Sequence, residues 1–295
     1  DPIRVFVGVD SADTPEQRAG LAVEELERFG AFNRSVIAIG TSAGAGTVDP
    51  GEVVPLEYML NGDVATVSTQ YSILPSFLSF AVDRPTSVTE SVAIVGAVRE
   101  RLEEIPAPRR PRLVVFGASL GAYGASGAFS DLDDVLARTD AAMFQGPPNA
   151  TALWRRYTDE RAAGTPERLP VFDRGTHLRW ASTEADLRSP PTAFVAPRVV
   201  YLQNASDPVV WWSPSLLWSR PDWLAEARGP GVLTWPWLPV ITFAGLTGDL
   251  MNSQGVPPGH GHVYGTDPVS AWADILRPAG WSAADTSDLR QHLGG

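Results

Sequence analysis

The stretch Leu113-Val114-Val115-Phe116-Gly117-Ala118-Ser119-Leu120-Gly121-Ala122-Tyr123-Gly124 constrains the fold more than any other part of this chain. An apolar run meets two glycines that bracket a serine, and small helix-compatible residues follow at once. The pattern predicts a buried strand, a tight turn and a helix, with Ser119 at the apex. A Gly-x-Ser-x-Gly turn forces its serine into a strained backbone conformation, and the glycines leave room for neighbouring chain. The hydroxyl then projects above a sheet, and the Leu120 amide at the start of the helix faces the same space. The plainer alternative is that Gly117 and Gly121 only let strand and helix pack closely, so partner residues elsewhere must decide.

The rest of the chain alternates between strand and helix signals. Ile3 to Val9 reads as a strand buried on both faces. Thr14-Pro15-Glu16-Gln17 supplies an N-cap, a proline at the first helical position and a reciprocal capping partner, and Gly30 marks the stop. Ser35 to Ile39 is the next strand, Val54 to Leu60 a short helix closed by Gly62, and Val64 to Tyr71 a further strand. Ser87-Val88-Thr89-Glu90 reads as a capping box opening a helix that Pro106 ends, ahead of the strand Pro111 to Phe116. This order predicts an α/β, doubly wound, mostly parallel sheet, whose ligands gather at the carboxyl ends of the strands. Ser119 falls there.

Beyond the turn, Ala141 to Phe144 is a short strand. Residues 150–197 are polar, arginine-rich and broken by prolines, and read as an insertion or lid within a single domain spanning 1–295. Val199 to Leu202 resumes the sheet, Leu238 to Ala244 is expected to add a last central strand, and Ala271 to Leu276 a closing helix stopped by Pro278. Between them lies a span rich in tryptophan, with Trp211, Trp212, Trp218, Trp223, Trp235 and Trp237. Aromatics at this density fill a core or an interface, or else line an acyl-chain pocket or a membrane-facing lip. Tyr123, Trp211 and Trp212 are the candidates for a substrate pocket.

Composition removes several classes of function. A net charge of -11 opposes sequence-independent binding to nucleic acid and a polybasic membrane patch. The absence of cysteine excludes a disulfide framework, a thiolate nucleophile and a cysteine zinc site. His260 and His262 lack an evident third ligand, so neither a metal nor another cofactor is expected. No apolar run reaches the length of a membrane span, and Asp1-Pro2-Ile3-Arg4 is no signal peptide. The chain opens directly on a strand, as a piece of a longer protein would.

Gly40-Thr41-Ser42-Ala43-Gly44 repeats the Gly-x-Ser-x-Gly spacing, making Ser42 a rival nucleophile. The residues after it are too rich in glycine and too near Pro50 to begin a helix, so this loop is expected to line the site and lend a backbone amide. Candidates for that second amide are Thr41, Ser42, Ser11 and Ala12.

A serine nucleophile needs a base. Of four histidines, His292 lies in a polar tail and His177 in the expected lid, which leaves Pro257-Pro258-Gly259-His260-Gly261-His262-Val263-Tyr264-Gly265. His262 is preferred over His260 because Val263-Tyr264 can anchor its loop, whereas His260 has glycine on both sides. The base needs an orienting carboxylate, expected after a strand between serine and histidine. Asp207, just past Val199 to Leu202, fits that place, and Asp249 is the fallback.

With serine, acid and histidine in that order, the sequence resembles the α/β-hydrolase superfamily. More closely, it resembles the catalytic domain of an actinobacterial membrane-anchored α/β-hydrolase family of long-unknown function. The residues that carry this are Gly117-Ala118-Ser119-Leu120-Gly121, Gln203-Asn204-Ala205-Ser206-Asp207-Pro208-Val209-Val210-Trp211-Trp212 and the histidine loop 257–265. Asp10 with Thr14-Pro15-Glu16, and Gln70-Tyr71-Ser72-Ile73-Leu74-Pro75-Ser76, add to it. The resemblance implies Ser119 as nucleophile, Asp207 as acid and His262 as base, in a serine esterase or lipase-type enzyme acting on a small-molecule or lipid ester. An acyltransferase using the same triad toward an envelope lipid or sugar hydroxyl is the alternative, and a non-catalytic binding domain the third reading. The resemblance also implies a preceding membrane region absent from this chain, with the domain facing outward from the cell membrane. Ala118 and Ser42 depart from the family's pattern, which has an acidic residue before the serine and threonines in the early loop.

Overall fold

The computed structural model describes residues 1–44, 46–74, 84–232 and 236–294. Its sheet has seven strands among the described residues: β1 (Ile3–Val7), β2 (Val36–Thr41), β3 (Val64–Thr69), β4 (Arg112–Ala118), β5 (Ala141–Gln145), β6 (Leu178–Ala181) and β7 (Arg198–Leu202). Successive side chains of one strand enter two different cores. Ile37, Ile39, Leu113 and Val115 meet the helices Pro15–Arg28, Arg84–Glu103 and Leu120–Gly127. Val36, Ala38, Val114 and Phe116 meet Pro50–Met59 and Asp267–Leu276 on the opposite face. A period of two with both faces apolar is what a parallel sheet wound on both sides requires.

All pairings are parallel, in the order β1-β3-β2-β4-β5-β7-β6, so β4 lies in the middle of the sheet. Residues 150–197 hold the helix Ala152–Asp159 and the edge strand β6, which pairs with β7. The expected strand at Leu238 to Ala244 is instead part of a helix, Pro239–Met251, with Pro239 at its first position. A short apolar run does not itself distinguish a strand from a helix, and here the proline-started helix wins.

The helix expected to open at Ser87 already runs at Arg84, so Ser87 lies inside it and donates to the Leu120 carbonyl at 3.2 Å. The polar tail also forms a helix, Ala283–Gly294, which contains His292. Pro75 and Ser76 of the resemblance, and Trp235 of the tryptophan-rich span, lie outside the described residues.

Candidate functional site

Ser119 joins β4 to the helix Leu120–Gly127 with φ 56° and ψ -122°, a positive φ that a serine adopts only where its surroundings impose it. The two flanking glycines explain how the turn fits. A Cβ on Gly117 would lie 2.6 Å from the Gly121 backbone, and one on Gly121 would lie 2.2 Å from the Thr41 carbonyl oxygen. The glycines therefore serve close packing and the strained turn together. The Ser119 amide donates to the Gln145 carbonyl at 2.8 Å, which ties the turn to the end of β5.

Asp207 follows β7 and is fully buried. Its Oδ1 accepts the Val209 amide at 2.8 Å, capping the short helix Pro208–Trp211. Its Oδ2 faces His262 Nδ1 at 2.7 Å and accepts the Tyr264 hydroxyl at 2.6 Å. A carboxylate against Nδ1 holds the proton there and leaves Nε2 as acceptor. Burial works against the imidazolium charge, but the carboxylates of Asp207 and Asp49 outweigh it, and the pKa of His262 is raised above the ordinary 6.5. Burial also pushes the Tyr264 phenol up, helped by Asp207, so it remains a neutral donor.

Gly146 connects the two halves of the site. It follows Gln145, which pairs with Ala118 and bonds to Ser119, and a Cβ built on it would lie 2.5 Å from His262 Cε1. The imidazole therefore rests on the backbone directly beside the serine turn. Gln145 Nε2 also donates to Asp49 Oδ2 at 2.9 Å, bringing a second carboxylate to the same edge. Sequence reasoning missed Asp49 and Gln145 as site residues. Asp49 carries a local signal only as the cap of Pro50–Met59, where its Oδ1 accepts the Gly51 amide at 2.8 Å.

Other candidates fall elsewhere. The Ser42 hydroxyl is buried and donates to the Thr69 carbonyl at 2.9 Å, and the residues after it form no helix among those described, which suits a lining loop better than a nucleophile. Thr41 pairs with Gly117, so Thr41 and Ser42 border the turn. Ser11 and Ala12 follow β1, three strand positions from β4 and thus about 14 Å across the sheet, away from Ser119. Asp249 is exposed on the helix Pro239–Met251, and His260 is exposed; both line a cavity that contains neither Ser119 nor His262.

Trp211 is buried and lines that same cavity, while Trp212 donates to Thr247 Oγ1 at 2.9 Å and so helps to seat the helix Pro239–Met251. Tyr123 sits one turn past Ser119, its amide donating to the Ser119 carbonyl at 3.1 Å, and does not line the cavity. Among the described residues no group of three or more histidine, aspartate and glutamate side chains is arranged to hold a metal. Nor is any helix there long and apolar enough to cross a membrane.

A seven-stranded parallel sheet wound on both faces, with a strained serine turn after its central strand, is the fold of an α/β-hydrolase. The model of a family described as an alpha/beta-hydrolase family matches residues 3–289, and the chain belongs to that family. No curated protein matches it by sequence. Among solved structures it is similar to a Trichoderma reesei cutinase in complex with a C11Y4 phosphonate inhibitor, at 14% identity and a TM-score of 0.38, over 90% of this chain and 89% of that one.

Proposed function

We propose that the protein is a serine hydrolase that cleaves carboxylic esters through Ser119, His262 and Asp207. The observation that carries this reading is the hydrogen bond from His262 to buried Asp207, formed beside a serine held in the strained turn. His262 Nε2 takes the Ser119 proton as Oγ attacks the ester carbonyl carbon. The resulting oxyanion accepts from the Leu120 amide, whose place at a helix start leaves it without an intrahelical acceptor, and from an amide of the Thr41-Ser42 edge. The bond to the alcohol then breaks, and His262 returns its proton to the leaving oxygen. Water attacks the acyl-enzyme, giving a proton to His262, and release of the acid restores Ser119.

Asp207 stabilises the imidazolium through the Nδ1 bond, and Tyr264 fixes the carboxylate that does so. The test is turnover of a short p-nitrophenyl ester. Ser119→Ala should reduce kcat to background, whereas Ser42→Ala should retain the larger part of it. Full activity in Ser119→Ala would overturn the reading.

A further inference from the structure

Bordering the loops that carry Asp207 and His262, and lined by neither Ser119 nor His262, lies a cavity of about 720 Å³, within the size range of small-molecule sites. Its floor is apolar and buried, formed by Ala205, Pro208, Trp211, Trp223 and Leu224. Its rim is exposed and polar, with Asp249, Asn252 and His260. The helix Pro239–Met251 forms one wall yet has no buried residue, and its Val240 and Met251, which do not line the cavity, are exposed. Two different faces of one helix are thus apolar, one toward the cavity and one toward the surroundings.

We propose that this cavity binds an uncharged single-chain amphiphile, a hydroxyl-headed lipid such as a monoacylglycerol, at a site distinct from the reacting centre at Ser119. The apolar floor takes the chain, since burying aliphatic surface against tryptophan and leucine is favourable and needs no polar partner. The rim selects the head. An anionic head would meet Asp249 and find no arginine or lysine among the lining residues. A cationic head would gain only an exposed ion pair, which is worth little. A hydroxyl donates to Asp249 and accepts from Asn252 or His260. The cavity wall also includes Ser206 and Gly261, whose bond from the Gly261 amide to Ser206 Oγ, at 3.0 Å, joins the acid loop to the base loop. The site stands or falls independently of the role of Ser119.

The experiment is calorimetric titration of Ser119→Ala, which cannot turn the ligand over by the proposed route, with monolauroylglycerol below its micellar concentration. Quenching of tryptophan fluorescence by a chain-brominated analogue is read in parallel, because Trp211 and Trp223 line the floor. Saturable binding of one molecule per chain is expected, with quenching, and with laurate binding at least about tenfold more weakly, a difference of about 1.4 kcal/mol. Adding Gly245→Phe to that background should weaken binding by at least about tenfold by filling the cavity. A Cβ at Gly245 meets nothing within 4 Å, and phenylalanine is a better helix former than glycine. Leu246→Trp is the second filling variant, and thermal melting verifies that both are folded. Absence of saturable binding, or unweakened binding in both filled variants, would overturn the site. Equal affinity for laurate would overturn the assignment of an uncharged head.

Discussion

The Tyr264 hydroxyl donates to the same oxygen of Asp207 that faces His262 Nδ1, so one buried carboxylate holds the imidazole and is itself held by the residue two places after that histidine. The loop 260–264 is thereby fastened to the loop that carries Asp207. Asn204 adds to this from the acid side, its side-chain amide donating to the Gly261 carbonyl at 3.1 Å.

Tyr264→Phe removes that donor while keeping the ring. Hydrogen bonds to charged groups contribute about 1.5–3 kcal/mol, so unfolding free energy should fall by that amount. The freed carboxylate holds the imidazole less firmly, so kcat should fall with KM unchanged. Stability and kcat both equal to those of the parent would remove Tyr264 as a positioning residue.

Gly146 has a φ of 53° and leaves no room for a side chain against His262. Gly146→Ala should push the ring away from Ser119, and a misplacement of about 1 Å costs roughly 10²-fold in rate. Steady-state turnover of the same p-nitrophenyl ester measures it. A variant with parental kcat would mean that the imidazole does not work from its place on Gly146.

Hydrolysis by a histidine base requires neutral imidazole. Because the pKa of His262 is raised above 6.5, kcat/KM should climb with pH through a midpoint above that of an ordinary histidine. Asp49 is one of the carboxylates that raise it, so Asp49→Asn should move this limb to lower pH. Asparagine keeps the helix cap with its one oxygen and turns its Nδ2 toward Gln145, whose Oε1 has no partner among the described residues and accepts it once that amide turns over, so the change is chiefly one of charge. A limb that stays in place would exclude Asp49 from the electrostatics of the base.

Glu52 is fully buried, and neither carboxyl oxygen has a hydrogen-bond partner among the described residues. Burial, and then Asp49, push its pKa well above the ordinary 4.5, so the folded protein holds it neutral. A folded-state pKa raised in this way favours folding below the unfolded value of 4.5, an advantage that is lost as pH rises toward the folded value. Glu52→Gln keeps the shape and cannot ionise, so it should be more stable than the parent at pH 8 and gain less at pH 5. Denaturant midpoints at the two pH values test it, and an equal difference at both would contradict a neutral Glu52.

Much of this architecture was legible because its signals are local. The β4 run with its glycines and the cap at Thr14 are each contained within a few residues, and Ser119, Asp207 and His262 each sit in a short motif of their own although they lie far apart in the chain. Val263-Tyr264 marks an anchor beside His262 that His260 lacks, and Tyr264 fastens the loop through Asp207. What sequence reasoning missed depends on distance or on ambiguous period. Gln145 reaches Asp49 across 96 positions, a pairing that no local pattern encodes. Leu238 to Ala244 reads as a strand because its apolar run is short and partly β-branched, yet it belongs to the helix Pro239–Met251, which lines the cavity instead of joining the sheet. β6, with only four residues, sits in a polar stretch where alternation has no length to register.

Ser119 as the nucleophile is tested most directly by the residue that carries a covalent adduct. Wild-type protein is treated with a fluorophosphonate, digested and sequenced by tandem mass spectrometry. A single phosphonyl group on Ser119, lost in His262→Ala, is the predicted result. An adduct on Ser42 or another residue, or no adduct on protein whose circular dichroism shows it folded, would contradict it.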